Sequence, residues 1–391
     1  MPKVLRIINR FNLGGPTYNV AYLSKFLEPD FVTLLVGGAK DDTEESSDFI
    51  VENLGLKPMI IEEMLREIDL KNDYIAYKKI KKIIKEFKPD IVHTHASKAG
   101  TLGRLAARSC GVPVIVHTFH GHVFHSYFGK LKTAFYKTIE RYLAKKSTVI
   151  IAISDKQKRE LSEIHHICKS EKIRVIPLGF DLSKFRENMD KKRADFRKKY
   201  QLEDDEIAIT IIGRLVPVKN HALFLEAIRE VSDKSKKKIR AFIVGDGEER
   251  MNIEKKANEL GIPFTAGPGR SLLTFTSWIK DADVALAGSD IIALTSFNEG
   301  TPVSLIEAQA AGKPIVTTNP GGVENVVIPE KTALLCGTLS SSDFASGLLQ
   351  LTEDDEKRKG MSESGWEHVR ERFHYTRLVS DMRKLYYGLL K

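Results

Sequence analysis

Short apolar runs alternate with amphipathic segments along the chain, and this alternation limits the fold more than any other feature. Parallel strands that are buried on both faces read as short apolar runs, and a helix usually connects one strand to the next. The alternation therefore predicts repeated strand–helix units and parallel sheets. We expect strands at residues 4–8, 31–36, 90–93, 114–118, 148–153 and 173–176, then at 207–212, 240–244, 291–295, 315–318 and 333–335.

This plan occurs twice, which predicts two α/β domains. Helical patterns lie near residues 17–27, 73–87, 99–110, 130–146 and 155–166, then near 219–231, 248–260, 301–311, 341–352, 355–372 and 375–389. A chain of 391 residues is long enough for two domains, each with its own core. We expect two doubly wound domains, 1–185 and 186–373, facing each other across a cleft, with the last helix, 374–391, packing back on the first.

One stretch, residues 296–312, combines an apolar helix with a carboxylate. Thr301 is a suitable N-cap, Pro302 fits the first turn, and Gly312 suits the end of the helix. Most other positions are apolar, so we expect a buried helix. Because an unpaired buried charge is costly, Glu307 in this helix either faces a polar ligand or reaches out to water.

Groups that suit a nucleotide lie around the start of this helix. Glu299 comes just before it, and free backbone N–H groups around residues 300–303 favour an anion there. A carboxylate such as Glu307, about one and a half turns from an anion site, can accept two hydroxyl groups. This arrangement suits a ribose next to a phosphate.

Glycines and cations follow other predicted strands, at the ends where doubly wound sheets bind ligands. Gly14 and Gly15 follow the first strand and let the backbone approach a ligand closely. Gly213, Arg214 and Lys219 follow the first strand of the second half, and two such cations can hold a diphosphate. Each turn also fits a surface turn without a ligand.

The positive charge is concentrated between residues 98 and 159, here called the basic segment. The chain has a formal net charge of +9, and this segment holds twelve basic residues against Glu140 and Asp155. Such a block suits anionic lipid headgroups or phosphorylated substrates, and nucleic acid on charge alone; a solvated face without a partner is the alternative.

Residues 129–146 within the basic segment read as a helix with an apolar stripe. The stripe consists of Leu131, Phe135, Ile139 and Leu143, spaced four apart. Either this helix lies near an anionic membrane, where a lipid-linked acceptor would wait, or the stripe packs on the sheet.

Other features predict a cytoplasmic protein that is peripheral, at most, to the inner face of the cell membrane. The chain has no apolar run that is long enough to span a bilayer, and its start reads as a strand rather than a signal peptide. Its cysteines are far apart and are expected to be buried thiols in a reducing compartment. They are Cys110, Cys168 and Cys336.

Histidines are concentrated after two of the predicted strands. They are His93, His95, His117, His120, His122 and His125. On an extended strand and loop, the last four do not gather around one tetrahedral metal ion, and no cysteine lies nearby, so we expect no metal. A core or loop role and a substrate role for His120 both stay open.

Taken together, these residues resemble glycosyltransferase family 4, whose members are retaining enzymes with the GT-B fold of two Rossmann-like domains. Glu299 and Glu307, with seven residues between them, resemble the family's E-x7-E element. Arg214 and Lys219 resemble its G-R-x4-K diphosphate grip, and residues 14–15 its N-terminal glycine loop. The phrases V-H-T-H, K-A-G and N-E-G-T-P resemble a bacterial branch that is linked with cell-surface polysaccharides. The resemblance covers essentially the full chain.

The resemblance implies a role for each residue. Glu307 would accept hydrogen bonds from the ribose, Arg214 and Lys219 would neutralise the diphosphate, and the glycine loop would approach the phosphate. Glu299 would contact the donor sugar, and His120 would lie near the reacting centre. The implied catalytic residues are His120, Arg214, Lys219 and Glu299. The implied nucleotide-sugar-binding residues are Gly14, Gly15, Gly213, Arg214, Lys219, Glu299, Gly300, Thr301, Pro302, Val303 and Glu307.

The implied reaction moves a hexose or N-acetylhexosamine from a nucleotide sugar, with a UDP-sugar favoured, to a lipid-linked saccharide without a metal or other cofactor. One departure concerns Ser277, which stands before Trp278 where such sequences commonly have glycine, near the base-contacting side.

Three other functions were weighed against this one. A nucleotide-sugar 2-epimerase shares the layout and stays an alternative. A dinucleotide dehydrogenase is disfavoured because neither glycine turn completes G-x-G-x-x-G. A nucleic-acid-binding protein is disfavoured because no recognised module accompanies the charge.

Overall fold

The computed structural model describes residues 1–11, 15–38, 48–65, 67–121 and 130–391. The chain forms two compact units: the N-terminal unit, Met1–Phe180 with Phe373–Lys391, and the C-terminal unit, Asp181–Arg372. The chain leaves the N-terminal unit at Phe180 and re-enters it at Phe373. Phe180 marks this point by donating its N–H to Phe373 O (2.8 Å) and accepting from Tyr375 N–H (3.0 Å).

The N-terminal unit is built on a parallel sheet that has seven strands among the described residues, in the order β3-β2-β1-β4-β5-β6-β7. The strands are β1 Lys3–Arg10, β2 Val32–Gly38, β3 Met59–Ile61, β4 Ile91–His95, β5 Val114–Phe119, β6 Val149–Ala152 and β7 Ile173–Val175. The helices before the crossing are α1 Gly15–Phe26, α2 Asp48–Asn53, α3 Leu70–Phe87, α4 Ser97–Ser109, α5 Lys130–Lys146 and α6 Asp155–Arg159. A π-helix, Glu160–Ile164, continues α6, and a 3-10 turn, Ser170–Lys172, precedes β7.

The C-terminal unit repeats the plan, with the strand order β10-β11-β9-β8-β12-β13-β14. Its strands are β8 Ile207–Ile212, β9 Ile239–Val244, β10 Phe264–Ala266, β11 Leu273–Ser277, β12 Ile291–Leu294, β13 Ile315–Thr318 and β14 Ala333–Cys336. Its helices are α7 Met189–Lys199, α8 His221–Lys234, α9 Arg250–Glu259, α10 Ala282–Gly288, α11 Val303–Ala310, α12 Ser341–Glu353 and α13 Asp355–Phe373, the last ending at the crossing. Its 3-10 turns are Ser183–Phe185, Pro217–Lys219 and Val323–Asn325.

The last helix, α14 Tyr375–Leu389, packs on the sheet of the N-terminal unit. Its Leu378, Met382 and Tyr386 are buried in one cluster with Val4 of β1 and Leu23 of α1. This face of the sheet is therefore closed by a segment that follows the whole C-terminal unit in the sequence.

Both sheets are doubly wound, as expected, and the strand order reverses beside the first strand of each. The reversal falls between β1 and β4 in one unit and between β8 and β12 in the other. Ligands of such sheets bind outside the carboxyl ends of the strands at this switch point. The loops after β8 and β12 carry Arg214, Lys219 and Glu299, so these residues follow the two strands that flank it.

Six elements escaped prediction because they are short or carry a weak apolar pattern. The strands β3 and β10 have only three residues each, and β11 alternates buried Leu273 and Phe275 with threonines. The charged α7 reads as a linker, yet it anchors itself through Phe196, which packs against Phe242. The short helices α2 and α10 complete the set.

The expectation for the cysteines was wrong in part, since Cys336 is buried but Cys110 and Cys168 are half-buried; all three are free thiols. Within the ranges given above, no helix has the length and apolar character needed to cross a bilayer.

Candidate active site

The loops at the carboxyl edge of the C-terminal sheet are joined to one another by backbone hydrogen bonds. Gly213 N–H donates to Val244 O (3.0 Å), which ties the loop after β8 to β9. Phe297 N–H donates to Val218 O (2.8 Å), which ties the loop after β12 to the same loop. Gly322 N–H donates to Glu299 O (2.9 Å), which adds the loop after β13. The predicted site residues therefore lie on a fixed backbone frame.

Lys219 and Glu299 form an ion pair on this frame. Lys219 Nζ lies 2.6 Å from Glu299 Oε1, and Ser296 Oγ donates to the same oxygen at 2.6 Å. The lysine side chain is 22% exposed and the glutamate 11%. Thr295 Oγ1 also bonds Lys219 O, 3.0 Å away. The structure thus brings together two residues that the sequence places 80 positions apart.

Arg214 lies on the same loop as Lys219 but is not paired. Its side chain is exposed, and it makes no hydrogen bond or ion pair with any described residue. The loop after β8 therefore presents one cation that is neutralised, Lys219, and one that is not. An unpaired guanidinium offers a planar fork of donors that fits two phosphate oxygens.

Two glycines that the sequence reading missed allow the loop after β13 to meet the loop that carries Glu299. A Cβ on Gly321 would overlap Glu299 O, and a Cβ on Gly322 would overlap Gly300 O. Gly321 also has φ +58°, which favours glycine. The signal was present as the pair of glycines after Pro320, but only the approach of another loop reveals its purpose.

Helix α11 begins later than expected. Its first residue is Val303, Pro302 is the N-cap with extended backbone, and no side chain caps it. The prediction of Thr301 as N-cap was wrong because Pro302, with ψ 99°, is still extended, so the helix begins one residue later. Residues 300–303 still form the turn into the helix. Its end is as predicted: Gly312 has φ +64° and, with the N–H of Lys313 bonded to Ala308 O (2.8 Å), forms a Schellman motif.

Glu307 lies on α11 among buried residues, and its side chain is itself only partly exposed. Its carboxylate makes no hydrogen bond or ion pair with any other residue that the structure describes. Burial raises the pKa of Glu307 to about 7, against an opposing effect of the Lys184 charge. A desolvated carboxylate without a partner suits a ligand that brings hydroxyl donors to it.

His93 and His95 of β4 are fully buried, with His93 in contact with α14, whereas His120, just after β5, is half-buried. His95 Nδ1 lies 2.9 Å from His120 Nε2, and Arg6 Nη1 lies 3.4 Å from His95 Nε2 and 3.0 Å from His93 Nδ1. His93 also bonds Tyr386 of α14, with 2.6 Å between Nδ1 and Oη. The predicted residue His120 therefore ends a polar network that is anchored in the core.

His117 belongs to a different environment. Its Nδ1 bonds Thr94 Oγ1 at 2.8 Å, whereas His120 bonds His95. A Cβ on Gly100 would lie close to the His117 ring, so the glycine of K-A-G lets α4 pack there. Among the described residues, no group of three or more histidine, cysteine or acidic side chains could hold a metal ion.

Several predicted positions lie outside the described residues. They are Gly14, His122, His125 and the side chain of Leu131. Gly15 is the first residue of α1 and is buried.

The apolar stripe of α5 is divided between core and surface. Leu143 is buried and Ile139 half-buried, whereas Phe135 is 62% exposed. Two members of the basic segment also neutralise each other, since buried Arg104 bonds Glu140 of α5 with 2.7 Å between Nη2 and Oε2. This pair removes one charge of each sign from the surface, so the net positive charge of the segment is unchanged.

Comparison with known proteins identifies the family. Residues 14–184 match the family described as Glycosyltransferase Family 4, and residues 192–368 match Glycosyl transferases group 1. An Escherichia coli relative, UDP-Gal:alpha-D-GlcNAc-diphosphoundecaprenol alpha-1,3-galactosyltransferase, is 32% identical over 343 residues, covering 86% of this chain and 84% of the relative. This chain belongs to glycosyltransferase family 4.

Solved structures show the same fold in this glycosyltransferase. HepE of Anabaena, solved in complex with UDP, aligns with a TM-score of 0.80 at 18% identity, over 99% of this chain and 100% of that chain. Sucrose-phosphate synthase of Thermosynechococcus elongatus aligns with a TM-score of 0.81 at 19% identity, over 100% and 99%. The two parallel sheets are thus those of the GT-B fold, and the predicted fold and family are confirmed. The family assignment favours a glycosyltransferase over the epimerase, dehydrogenase and nucleic-acid-binding alternatives.

Proposed function

We propose that this enzyme transfers a hexose or N-acetylhexosamine from a UDP-sugar to a lipid-linked saccharide, with retention of the anomeric configuration, in polysaccharide biosynthesis. The name of the E. coli relative supports both the UDP donor and the diphosphoundecaprenol-linked acceptor. In the chain itself, the supporting observation is that one loop at the switch point of the C-terminal sheet carries both the unpaired Arg214 and Lys219 of the Lys219–Glu299 ion pair.

Each of these three residues would contact a different part of the sugar diphosphate. Arg214 is available to bind the diphosphate with two parallel N–H groups. Lys219 pairs with Glu299 in the free protein, and the negative charge of the diphosphate would attract the Lys219 ammonium away from Glu299. Once the lysine has moved, Glu299 would accept hydrogen bonds from the sugar hydroxyls. The turn at Gly213 leaves room for this exchange, and the N–H groups at the start of α11, from Gly300 to Val303, favour the same anion.

Glu307 completes the donor site at the ribose. Its carboxylate lacks a partner among the described residues, so two ribose hydroxyls would supply the hydrogen bonds that its burial denies it. Those bonds favour the ionised form, which opposes the raised pKa of about 7 in the free enzyme.

The chemistry follows from charge. Breaking the bond between the anomeric carbon and the diphosphate oxygen leaves negative charge on the diphosphate, next to Arg214 and Lys219. The acceptor hydroxyl bonds to the anomeric carbon on the face that the diphosphate leaves, and its proton passes to a departing phosphate oxygen. Losing one preorganised donor at such a site costs about 2.7–4 kcal/mol in transition-state stabilisation. These cations would perform the task of a divalent metal, so activity should persist in EDTA.

Nucleotide binding tests the site. Calorimetry with UDP, GDP and ADP would compare the wild type with the Arg214→Ala, Lys219→Met and Glu307→Ala variants. We expect UDP to bind most tightly and each variant to weaken it by about 10–100-fold, the range for a lost charged hydrogen bond. The control is Lys255→Ala, which removes an exposed cation of α9 and should change nothing. If no nucleotide binds, or if the three variants bind UDP as tightly as the wild type, the proposed assignment of the donor site is wrong.

We also propose that α5 holds the enzyme at the anionic inner face of the cell membrane. Phe135 and Tyr142, 62% and 54% exposed, lie on this helix with Lys145 and Lys146. Exposed aromatic and basic side chains on one helix suit a bilayer interface. Vesicles containing phosphatidylglycerol should bind the wild type at low salt, and the Phe135→Ser/Tyr142→Ser variant less; no binding at low salt contradicts the proposal.

A further inference from the structure

A continuous polar network leads from the core of the N-terminal unit to His120. Tyr386, His93, Arg6, His95 and His120 follow one another, each bonded to the next. Every one of these contacts lies within a single compact unit. The ring planes of His95 and His120 are inclined by 24° with centroids 5.2 Å apart, and their facing nitrogens lie 2.9 Å apart.

Arg6 determines the direction of the hydrogen bonds in this network. A guanidinium has five N–H donors and no acceptor, and it stays protonated in proteins. The nitrogen of His95 that faces Arg6, Nε2, must therefore accept, and the remaining proton of a neutral His95 lies on Nδ1. His93 Nδ1 likewise faces Arg6 as an acceptor, so Tyr386 Oη donates to the same nitrogen, and the Nε2–H of His93 donates to Thr118 Oγ1 at 2.7 Å.

The direction then passes to His120. Because His95 Nδ1 carries a proton, it donates to His120 Nε2, which must be the unprotonated nitrogen of that ring. The proton of His120 is left on Nδ1. This atom is buried and has no hydrogen-bond partner among the described residues.

The surroundings keep the histidines neutral. Arg6 is fully buried, and no carboxylate of the described residues pairs with it. Burial, followed by the charges of neighbouring groups that include Arg6, lowers the pKa of His95 well below its usual value. Burial alone lowers the pKa of His120 to about 3. A neutral His120 in this tautomer has a free N–H and no free lone pair.

We propose that Arg6 and His95 are positioning residues that hold His120 as the neutral Nδ1–H tautomer, so that His120 donates a hydrogen bond to an oxygen of a bound saccharide or phosphate rather than accepting a proton. The role of this hydrogen bond in sugar transfer rests on the proposed function, whereas the tautomer of His120 does not depend on it.

Long-range ¹H–¹⁵N spectra of the full chain with ¹⁵N-labelled histidine, at pH 7 and without substrate, test the tautomer. The signals of His120 are those that disappear in His120→Gln. We expect a protonated Nδ1 and an unprotonated Nε2. A protonated Nε2, or protons on both nitrogens, overturns the proposal from the wild-type spectrum alone.

Variants test whether Arg6 and His95 determine the tautomer of His120. In Arg6→Met the Nε2–H form of His120 should rise by about tenfold relative to the Nδ1–H form, whereas Arg6→Lys keeps a donor and should retain the wild-type tautomer. His95→Phe serves the same purpose if Arg6→Met does not fold. The control Arg108→Met removes an exposed arginine of α4 and should leave the spectrum unchanged. An unchanged tautomer in Arg6→Met and in His95→Phe contradicts the positioning role.

Kinetics separate this inference from the proposed function. In Arg6→Met we expect kcat to fall by about 10–100-fold, the usual effect of losing a partner that orients a functional histidine, with UDP affinity unchanged. If the wild type turns over no nucleotide sugar, the proposed function fails while the spectra still decide the tautomer. A normal kcat in a variant whose tautomer has changed would overturn the donor role of His120.

Discussion

Glu307 is the member of the proposed donor site whose pKa burial raises. In the free protein its pKa is raised from 4.5 to about 7 by burial, so the folded protein retains a proton that the unfolded chain has lost between these pH values. The free energy of unfolding therefore falls as the pH rises from about 4.5 to 7. The same carboxylate is the group that we propose for binding the ribose.

The Glu307→Gln substitution should separate the effect of Glu307 on stability from its effect on UDP binding. We expect the C-terminal unit to gain up to about 3 kcal/mol of unfolding free energy at pH 8, little at pH 4, and to bind UDP more weakly. Urea unfolding at both pH values and calorimetry measure this. Glu363→Gln, at an exposed position of α13, is the control. A variant with the pH dependence of the wild type would exclude Glu307 as its source.

At the scale of the residue, the sequence predicted the site residues that belong to short, continuous motifs. Arg214, Lys219 and Glu299 follow strands and carry charge, and the fold brings them to neighbouring loops. The network of Arg6 could not be foreseen, because an arginine in β1 has nothing in its own neighbourhood to show that it is fully buried between two histidines of β4. Ser277 has φ +55°, where glycine is the unstrained residue, so the departure noted in the sequence falls on a conformation that favours glycine.

The loops at the carboxyl edge are joined by hydrogen bonds, and at Gly322 the loop after β13 meets the loop that carries Glu299. Gly322 has φ −95°, so alanine there meets no backbone restriction and only the overlap with Gly300 O opposes it. Gly322→Ala should therefore push the loop that carries Glu299 away from its place.

We expect Gly322→Ala to destabilise the C-terminal unit by about 1–3 kcal/mol and to lower kcat/KM, because Glu299 and Gly300 move together. The control is Gly360→Ala in α13, where a Cβ meets nothing, and alanine should stabilise the helix by about 0.5–1 kcal/mol. Thermal unfolding and initial rates measure both. Wild-type activity in Gly322→Ala would show that this contact does not position Glu299.

The elements that were predicted correctly have a strong apolar pattern, and the elements that were missed are short or have a weak one. The core strands β8 and β13 were predicted to the residue. The strand β11 was missed because its Thr274 is fully buried and contacts Arg240 and Thr265, so the polarity of this residue misrepresents its burial.

At the scale of the whole molecule, α14 makes the N-terminal unit depend on the end of the chain. Met382 is buried against this sheet, whereas the proposed donor-binding residues Arg214, Lys219, Glu299 and Glu307 belong to the other unit. Met382→Ala should destabilise the N-terminal unit by about 2–5 kcal/mol and leave UDP affinity unchanged. Denaturation monitored with and without UDP tests this, with the exposed Met251→Ala as control. A loss of UDP affinity in Met382→Ala would contradict the placement of the UDP-binding residues in the C-terminal unit.

The central claim is tested most directly by the transfer reaction itself. The wild type would be incubated with UDP-, GDP- and ADP-sugars and a diphosphoundecaprenol-linked N-acetylglucosamine acceptor, and the products analysed by mass spectrometry and NMR. The account predicts release of UDP and an acceptor that is one sugar longer, with the anomeric configuration of the donor retained. Conversion of the donor into an isomeric sugar without the acceptor, or no extension with any donor, would contradict it.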